Sequence, residues 1–255
     1  MANKGWSRQE LLVAFSIYCQ TSFGKLHSRN PDIIRYAERI GRTPSALAMK
    51  LVNIASLDPA IVSTGRKGLS GASSADKAMW EEMQSNWEDF SFEATAEINR
   101  IAHNDVSEFF GSTDEVIDDY TGLDKDVRVR ARVGQGFFRR SVLSAYDNKC
   151  CITGLAVPEL LVASHIIPWR TDSSNRLNPR NGLSLSMLHD KAFDLGIITI
   201  NEDMTVKVSD KELSQDDGFF KVAIKSYENK PIALPEKFAP LQEFLAFHRD
   251  NIFQG

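Results

Sequence analysis

The stretch Cys150 to Ile200, CCITGLAVPELLVASHIIPWRTDSSNRLNPRNGLSLSMLHDKAFDLGIITI, decides the architecture of this 255-residue chain. Thr153-Gly154 reads as a turn, and the apolar run Val157 to Ala163 as the strand that follows it. Ser164-His165-Ile166-Ile167-Pro168-Trp169 comes next. Asn175 to Gly182 is rich in turn formers and predicts a polar loop. From Leu183 to Phe193 the spacing predicts a short helix, with Leu185, Leu188 and Ala192 on one face and His189 beside them. One histidine at a strand end and one on a helix is an arrangement that can hold a single metal ion.

Working outward, His165, Pro168 three residues later, Asn181-Gly182-Leu183 and Leu188-His189 keep an order and spacing that resemble the HNH nucleases. The resemblance covers roughly residues 135–200 and extends more weakly to the C-terminal tail. It implies a ββα-metal fold gripping one divalent ion, Mg²⁺ or Mn²⁺ first, with Ni²⁺ or Zn²⁺ as alternatives. It also implies that His165 is the general base, that Asn181 orients it and that His189 binds the metal. The SHI-P-W and LHDKAFD patterns are similar to nuclease domains of restriction enzymes, including modification-dependent ones. A restriction or defence setting is therefore expected.

The chemistry explains the residue types. A phosphodiester repels nucleophiles, so a nuclease must generate hydroxide and neutralise developing charge. An imidazole with a pKa near 6.5 accepts a proton from water at neutral pH, and a divalent metal stabilises the leaving oxygen. The sequence departs from the family in two places. Ser164 stands where many relatives carry Asp or His as a second metal ligand, and a hydroxyl is a poor partner for such a cation. Asp194, five residues after His189 and just ahead of Gly196, is the candidate to replace it, with fixing the helix end as its competing role. Asp190 lies about 100° around the helix from His189. The adjacent Cys150-Cys151 cannot supply two spaced pairs, so no structural zinc is expected. The rival reading is a non-catalytic DNA-binding protein with a degenerate site, which a metal-dependent cleavage assay separates.

Charge is uneven along the chain. The total is −4, yet residues 1–87 carry 11 basic and 7 acidic side chains, and residues 127–200 carry 10 and 5. Between them, residues 88–126 carry 2 basic and 12 acidic, and residues 201–255 carry 7 and 10. Local fields govern polyanion binding, so two basic lobes joined by an acidic segment suit DNA as partner. No apolar run approaches eighteen residues and no charged-then-apolar leader opens the chain, so neither a membrane span nor export is expected. With three cysteines, a cytoplasmic setting fits.

The expected organisation is α+β: a helical, helix-turn-helix-like domain at 1–90, an acidic helical or linker segment at 91–126, and the HNH nuclease domain with a docking helix at 127–255. Ser7 and Glu10 form a capping box ahead of Leu11, Phe15 and Tyr18. A second helix carries Ile33, Ala37 and Ile40 between Pro31 and Gly41. A third is capped by Thr43, with Leu47, Leu51 and Ile54 buried. Helix, glycine turn and capped helix predict that Arg42, Ser45, Met49, Lys50 and Asn53 face outward to DNA, with a plain helical bundle as the alternative. Gly65 to Ser74 reads as a loop, Ala75 to Phe90 as one helix, Phe92 to Phe110 as a helix candidate and Asp114 to Asp126 as the linker.

Val127 to Arg140, VRVRARVGQGFFRR, alternates and predicts an extended segment with Arg128, Arg130 and Arg132 on one side. With Arg139 and Arg140 on the helix expected from Phe137 to Tyr146, these arginines are candidates for phosphate contact, since the guanidinium fork donates two hydrogen bonds. Beyond Ile200, a turn at Asn201 to Met204 separates short strands, and Pro240 to Arg249 predicts a docking helix carrying His248. Cutting both strands with one site per chain would call for a homodimer.

Overall fold

A computed structural model describes residues 5–63, 71–102, 125–213 and 217–255. The chain divides into two compact units, Met1–Ser141 and Val142–Gly255. Among the described residues no helix is long and apolar enough to cross a membrane.

In the first unit α1 (Arg8–Gln20) is buried nearly all round, from Leu11 to Cys19. Ser7 and Glu10 close the capping box. Asn30 caps α2 (Pro31–Arg39), whose end is turned by Gly41 at φ 67°, a left-handed conformation that glycine adopts without steric cost. Thr43 and Pro44 then start α3 (Pro44–Ala55), burying Leu47, Leu51 and Ile54. After α4 (Pro59–Ser63) the expected single helix at 75–90 is instead two, α5 (Ser74–Ser85) and α6 (Trp87–Ala102). The break is Asn86: its N–H ends α5 on the Glu82 carbonyl, and its Oδ1 accepts from the Asp89 N–H to begin α6. Edge-to-face contacts of Phe90 with Phe15 (6.3 Å) and Phe137 (6.2 Å) mark the core. The linker expected at 114–126 and the Gly111 break lie outside the described residues, apart from the linker's last two positions. Most of the 65–74 loop lies outside them too.

The arginine-rich stretch corrects an expectation. Val127 to Val133 is helical, inside α7 (Lys125–Ala145). The helix runs through Gly134 and Gly136 to the buried Phe137, Phe138 and Val142, and a helix propagates more cheaply than it nucleates. Helical geometry separates arginines that a strand would align. Arg132 and Arg139 share a face, and Arg130 lies about 160° away from them.

The second unit opens with a tight knuckle in which Cys150 Sγ accepts from the Thr153 N–H (3.4 Å), with Gly154 at φ 74°. Pro158 to Leu160 is a 3-10 turn, since proline has no N–H to give a ladder, so β1 is Leu161–His165 rather than Val157 to Ala163. β2 (Gly182–Ser186) pairs antiparallel with it, His165 opposite Gly182 and Leu161 opposite Ser186. Here too the sequence expectation is corrected: Leu183 to Ser186 is strand, not helix. GLSLS has the two-residue period of a strand, and all five residues are buried. The helix α8 (Met187–Asp194) starts only at the Ser186 cap, leaving Leu188 exposed and Ala192 buried.

Gly196, at φ 69°, turns the chain out of α8 beneath the tail; a Cβ there would stand 2.1 Å from the Ile252 carbonyl oxygen. β3 (Ile198–Ile200) and β4 (Val206–Val208) form the expected second hairpin. Short helices α9 (Asp210–Leu213) and α10 (Gly218–Ala223) follow, then α11 (Gln242–Asn251). α11 docks on β3, where Arg249 donates to the Ile200 carbonyl (3.0 Å). His248 stacks on Phe193 at 3.6 Å, with Thr199 Oγ1 and the Phe193 carbonyl against its two ring nitrogens. It is a buried packing residue, and burial pushes its pKa down to about 4.

Candidate active site

The hairpin and α8 set the positions of both histidines. His165 is the last residue of β1, and Asn181 immediately precedes β2. Asn181 is fully buried, and its amide works as a clamp. Its Oδ1 accepts from the Ile167 N–H (2.8 Å), while Nδ2 donates to the carbonyls of Ile167 (3.2 Å) and Asn175 (3.3 Å). The Ile166 N–H adds a bond to the Asn181 carbonyl (3.0 Å). Asn181 thus fixes the chain leaving His165 rather than the ring itself.

The ring is held by the loop. His165 Nε2 lies 2.9 Å from the Arg176 carbonyl oxygen. A carbonyl only accepts, so Nε2 carries the proton and the lone pair of the neutral ring belongs to Nδ1. Burial pushes the His165 pKa down to about 4, against the opposing pull of that carbonyl. The imidazole is therefore neutral at physiological pH, the state a base requires.

His189 sits in the first turn of α8, buried to 3% exposure. Its Nδ1 is 2.8 Å from Ser186 Oγ, which also accepts the His189 backbone N–H as the helix cap. Its ring meets Tyr227 edge-on at 5.4 Å. Nε2 is buried without a hydrogen-bond partner; the Ala223 backbone lies near enough to favour a proton on the ring but makes no hydrogen bond of proper geometry. Burial outweighs that and lowers the His189 pKa. When Ser186 Oγ accepts from Nδ1–H, Nε2 presents a lone pair, the usual disposition of a metal-ligating imidazole. This orphaned nitrogen fits a divalent ion as one ligand.

The rest of the expected ligand set is not assembled around it. Asp194 is exposed, and at five residues from His189 it lies about 140° around the helix. Ser164 is buried at 2% exposure, its Oγ without a hydrogen-bond partner. Among the described residues no group of three or more His, Cys, Asp or Glu side chains is placed to hold a metal ion.

The expected DNA contacts in the first unit are also largely committed elsewhere. Lys50 does not face outward: it is buried, with Nζ 2.7 and 2.9 Å from the Asp76 carboxylate, because α5 packs over that side of α3. Arg42 makes two 2.9 Å bonds to Glu10 and stacks on Trp6 at 4.8 Å. Arg140 is mostly buried against Gln20, and desolvation lowers its pKa to about 10. Arg130 is exposed, 3.4 Å from Asp89 and stacked on Phe92 at 4.4 Å. Arg132 is exposed and Arg139 half-buried, and the side chain of Arg128 lies outside the described residues.

Two residues of this site had no place in the sequence reading. Ser186 carries a detectable signal, a serine three residues ahead of a helical histidine, as a cap requires. Arg176 acts on His165 through its main-chain carbonyl, which no side-chain pattern reports.

A two-stranded hairpin with a base-type histidine at its end, followed by a helix presenting a second histidine, defines a ββα nuclease-type centre. Residues 150–201 match the family model described as HNH endonuclease, which takes in the knuckle, β1, β2, α8 and β3. The chain carries an HNH nuclease domain, of a family that generally uses a divalent metal. No curated protein matches the chain.

Proposed function

We propose that the protein is a metal-dependent DNA endonuclease of the restriction or defence type, with phosphodiester hydrolysis at His165 and His189. The observation that carries this reading is the Nε2–H bond from His165 to the Arg176 carbonyl, which leaves a basic lone pair on Nδ1 of a neutral ring. His165 takes a proton from water at Nδ1, and Asn181 keeps the exit of β1 in place. His189 Nε2 would hold the metal, with Asp194 reaching it only if the end of α8 rearranges. The metal, when bound, supplies Lewis-acid stabilisation of the charge that builds on the phosphate and leaving oxygen. The exposed Arg132 and the half-buried Arg139 on the same helix face are the described candidates for DNA backbone contact.

The lack of a three-donor cluster among the described residues favours one rival, a DNA-binding protein whose site has degenerated. Incubating plasmid, with modified and unmodified bases, with the protein and Mg²⁺, Mn²⁺, Ni²⁺ or Zn²⁺ separates the two. Nicking that needs one of these ions and is lost in His165→Ala supports the nuclease. DNA binding without nicking under every ion supports the rival.

A further inference from the structure

The loop between β1 and β2 does more to His165 than supply one carbonyl. The Trp169 ring packs edge-to-face on the imidazole, with centroids 5.4 Å apart and planes at 83°. The Arg176 guanidinium carbon in turn lies 5.2 Å from the centre of the Trp169 ring. Residue 176 therefore reaches the histidine twice, by its carbonyl directly and by its side chain through the indole. The peptide carrying that carbonyl is itself anchored. The preceding carbonyl, of Asn175, accepts from Asn181 Nδ2 (3.3 Å) and from the Asn178 N–H (3.1 Å). Asn175 Nδ2 donates to Asp172 Oδ2 (2.7 Å).

We propose that Trp169 and Arg176 are positioning residues that fix the ring plane and the tautomer of His165, holding Nδ1 as the basic atom. The proposal rests on the reading of His165 as general base. Its physical content is that an imidazole can turn about χ2 or exchange tautomers unless its surroundings hold the ring. The indole blocks that rotation, and the guanidinium over the indole holds Trp169 by a cation–π contact, which favours arginine over smaller residues. Nothing here requires either side chain to touch substrate.

The test reads the imidazole itself. Long-range ¹⁵N–¹H NMR on the metal-free protein assigns the proton to Nε2 or Nδ1 in wild type, Trp169→Ala, Trp169→Phe, Arg176→Ala and Arg176→Lys. Wild type should show Nε2–H alone. Trp169→Ala and Arg176→Ala should show mixed or exchanging tautomers, and Trp169→Phe and Arg176→Lys should restore the wild-type pattern at least in part. In the cleavage assay the two alanine variants should lose about tenfold to a hundredfold in kcat with KM little changed, as misplacement of a reacting group does. An unchanged Nε2–H tautomer and unchanged kcat in both alanine variants overturns the proposal while leaving the nuclease reading intact. Loss of cleavage by wild type under every metal overturns the nuclease reading, and the NMR result still decides the positioning. If Trp169→Ala does not fold by circular dichroism, Arg176→Ala against Arg176→Lys decides by the same criteria.

Discussion

The ion pairs beneath the surface of one unit and the imidazoles of the other are held in different ways. In the helical unit two ion pairs lie beneath the surface, Lys50 with Asp76 and Arg42 with Glu10, beside a buried Asp58 that accepts from the Tyr18 hydroxyl. Even at its surface Arg8 holds both Glu82 and Glu93 at 2.6 Å. In the nuclease unit, which also buries Lys237, Tyr146, Cys150 and Cys151, three imidazoles are held by neutral partners: a carbonyl for the half-buried His165, a hydroxyl for His189, a hydroxyl and a carbonyl for His248. A charge met by its counter-charge is locked into structure. An imidazole desolvated among neutral groups stays uncharged near neutral pH and keeps a lone pair available for chemistry. Burial thus serves packing at Lys50, Arg42 and His248, and suits His165 and His189 to the chemistry proposed for them.

The largest effect should come from removing a neutral imidazole. His165→Ala is expected to slow cleavage by about two to four powers of ten while leaving DNA affinity nearly unchanged. Single-turnover cleavage beside equilibrium binding measures both. Full activity in a folded variant ends the assignment, and lost affinity with normal turnover would move His165 to a binding role. The counterpart is Lys50→Met. Leaving Asp76 buried without its cation should cost about 3–5 kcal/mol of stability, read as a lower denaturant midpoint. If the variant instead keeps its stability and loses DNA binding, Lys50 is a contact residue and the contrast between the units fails.

A smaller effect separates the units by pH. His248 has a folded pKa of about 4, below the ordinary 6.5 of the unfolded chain. Between those values the unfolded chain binds more protons than the folded one, so stability rises with pH through the window. It is complete above about 6.5 and is lost as pH falls toward 4. The loss is up to roughly 3 kcal/mol for this residue. Urea midpoints between pH 4 and 6.5 should slope upward with pH in wild type and more gently in a folded His248→Gln protein. Equal slopes would mean that His248 is not the source. For catalysis, the low His165 pKa predicts that kcat/KM of the free enzyme keeps its plateau well below pH 6.5.

Local signals were legible where one residue does one job. Ser7, Thr43 and Gly41 announce caps and a turn from their own chemistry, and the second hairpin follows from the Asn201 to Met204 turn. The order His165, Asn181, His189 pointed to the stretch that the HNH endonuclease family model matches. What the sequence concealed are relations between distant residues. Lys50 looks like an outward cation until Asp76, 26 positions away, is folded over it. Val127 to Val133 has a strand's alternation, yet it belongs to the same helix as the buried Phe137 and Phe138. Leu183 and Leu185 suit either period, and pairing with β1 decides for the strand. The Arg176 carbonyl is invisible in principle, because every residue has one.

The smallest expected effect tests what remains of the arginine-rich stretch. A strand would have put Arg130 and Arg132 on one side, and the helix puts them on nearly opposite sides. Arg130 is occupied with Asp89 and Phe92, while Arg132 is exposed and shares its face with Arg139. Both replacements should be mild for stability, below about 1 kcal/mol, since exposed ion pairs contribute little. They should differ toward DNA. Arg132→Ala is expected to reduce the slope of log affinity against log salt by about one, the loss of a single phosphate contact, while Arg130→Ala leaves the slope unchanged. Binding isotherms at several salt concentrations measure this without any cleavage. Equal slopes for the two variants and wild type would take α7 out of the DNA interface and leave recognition to the loops of the HNH domain. A larger change for Arg130 would mean that its pairing with Asp89 gives way to DNA, so that in the helical unit, too, a partnered charge can be released for function.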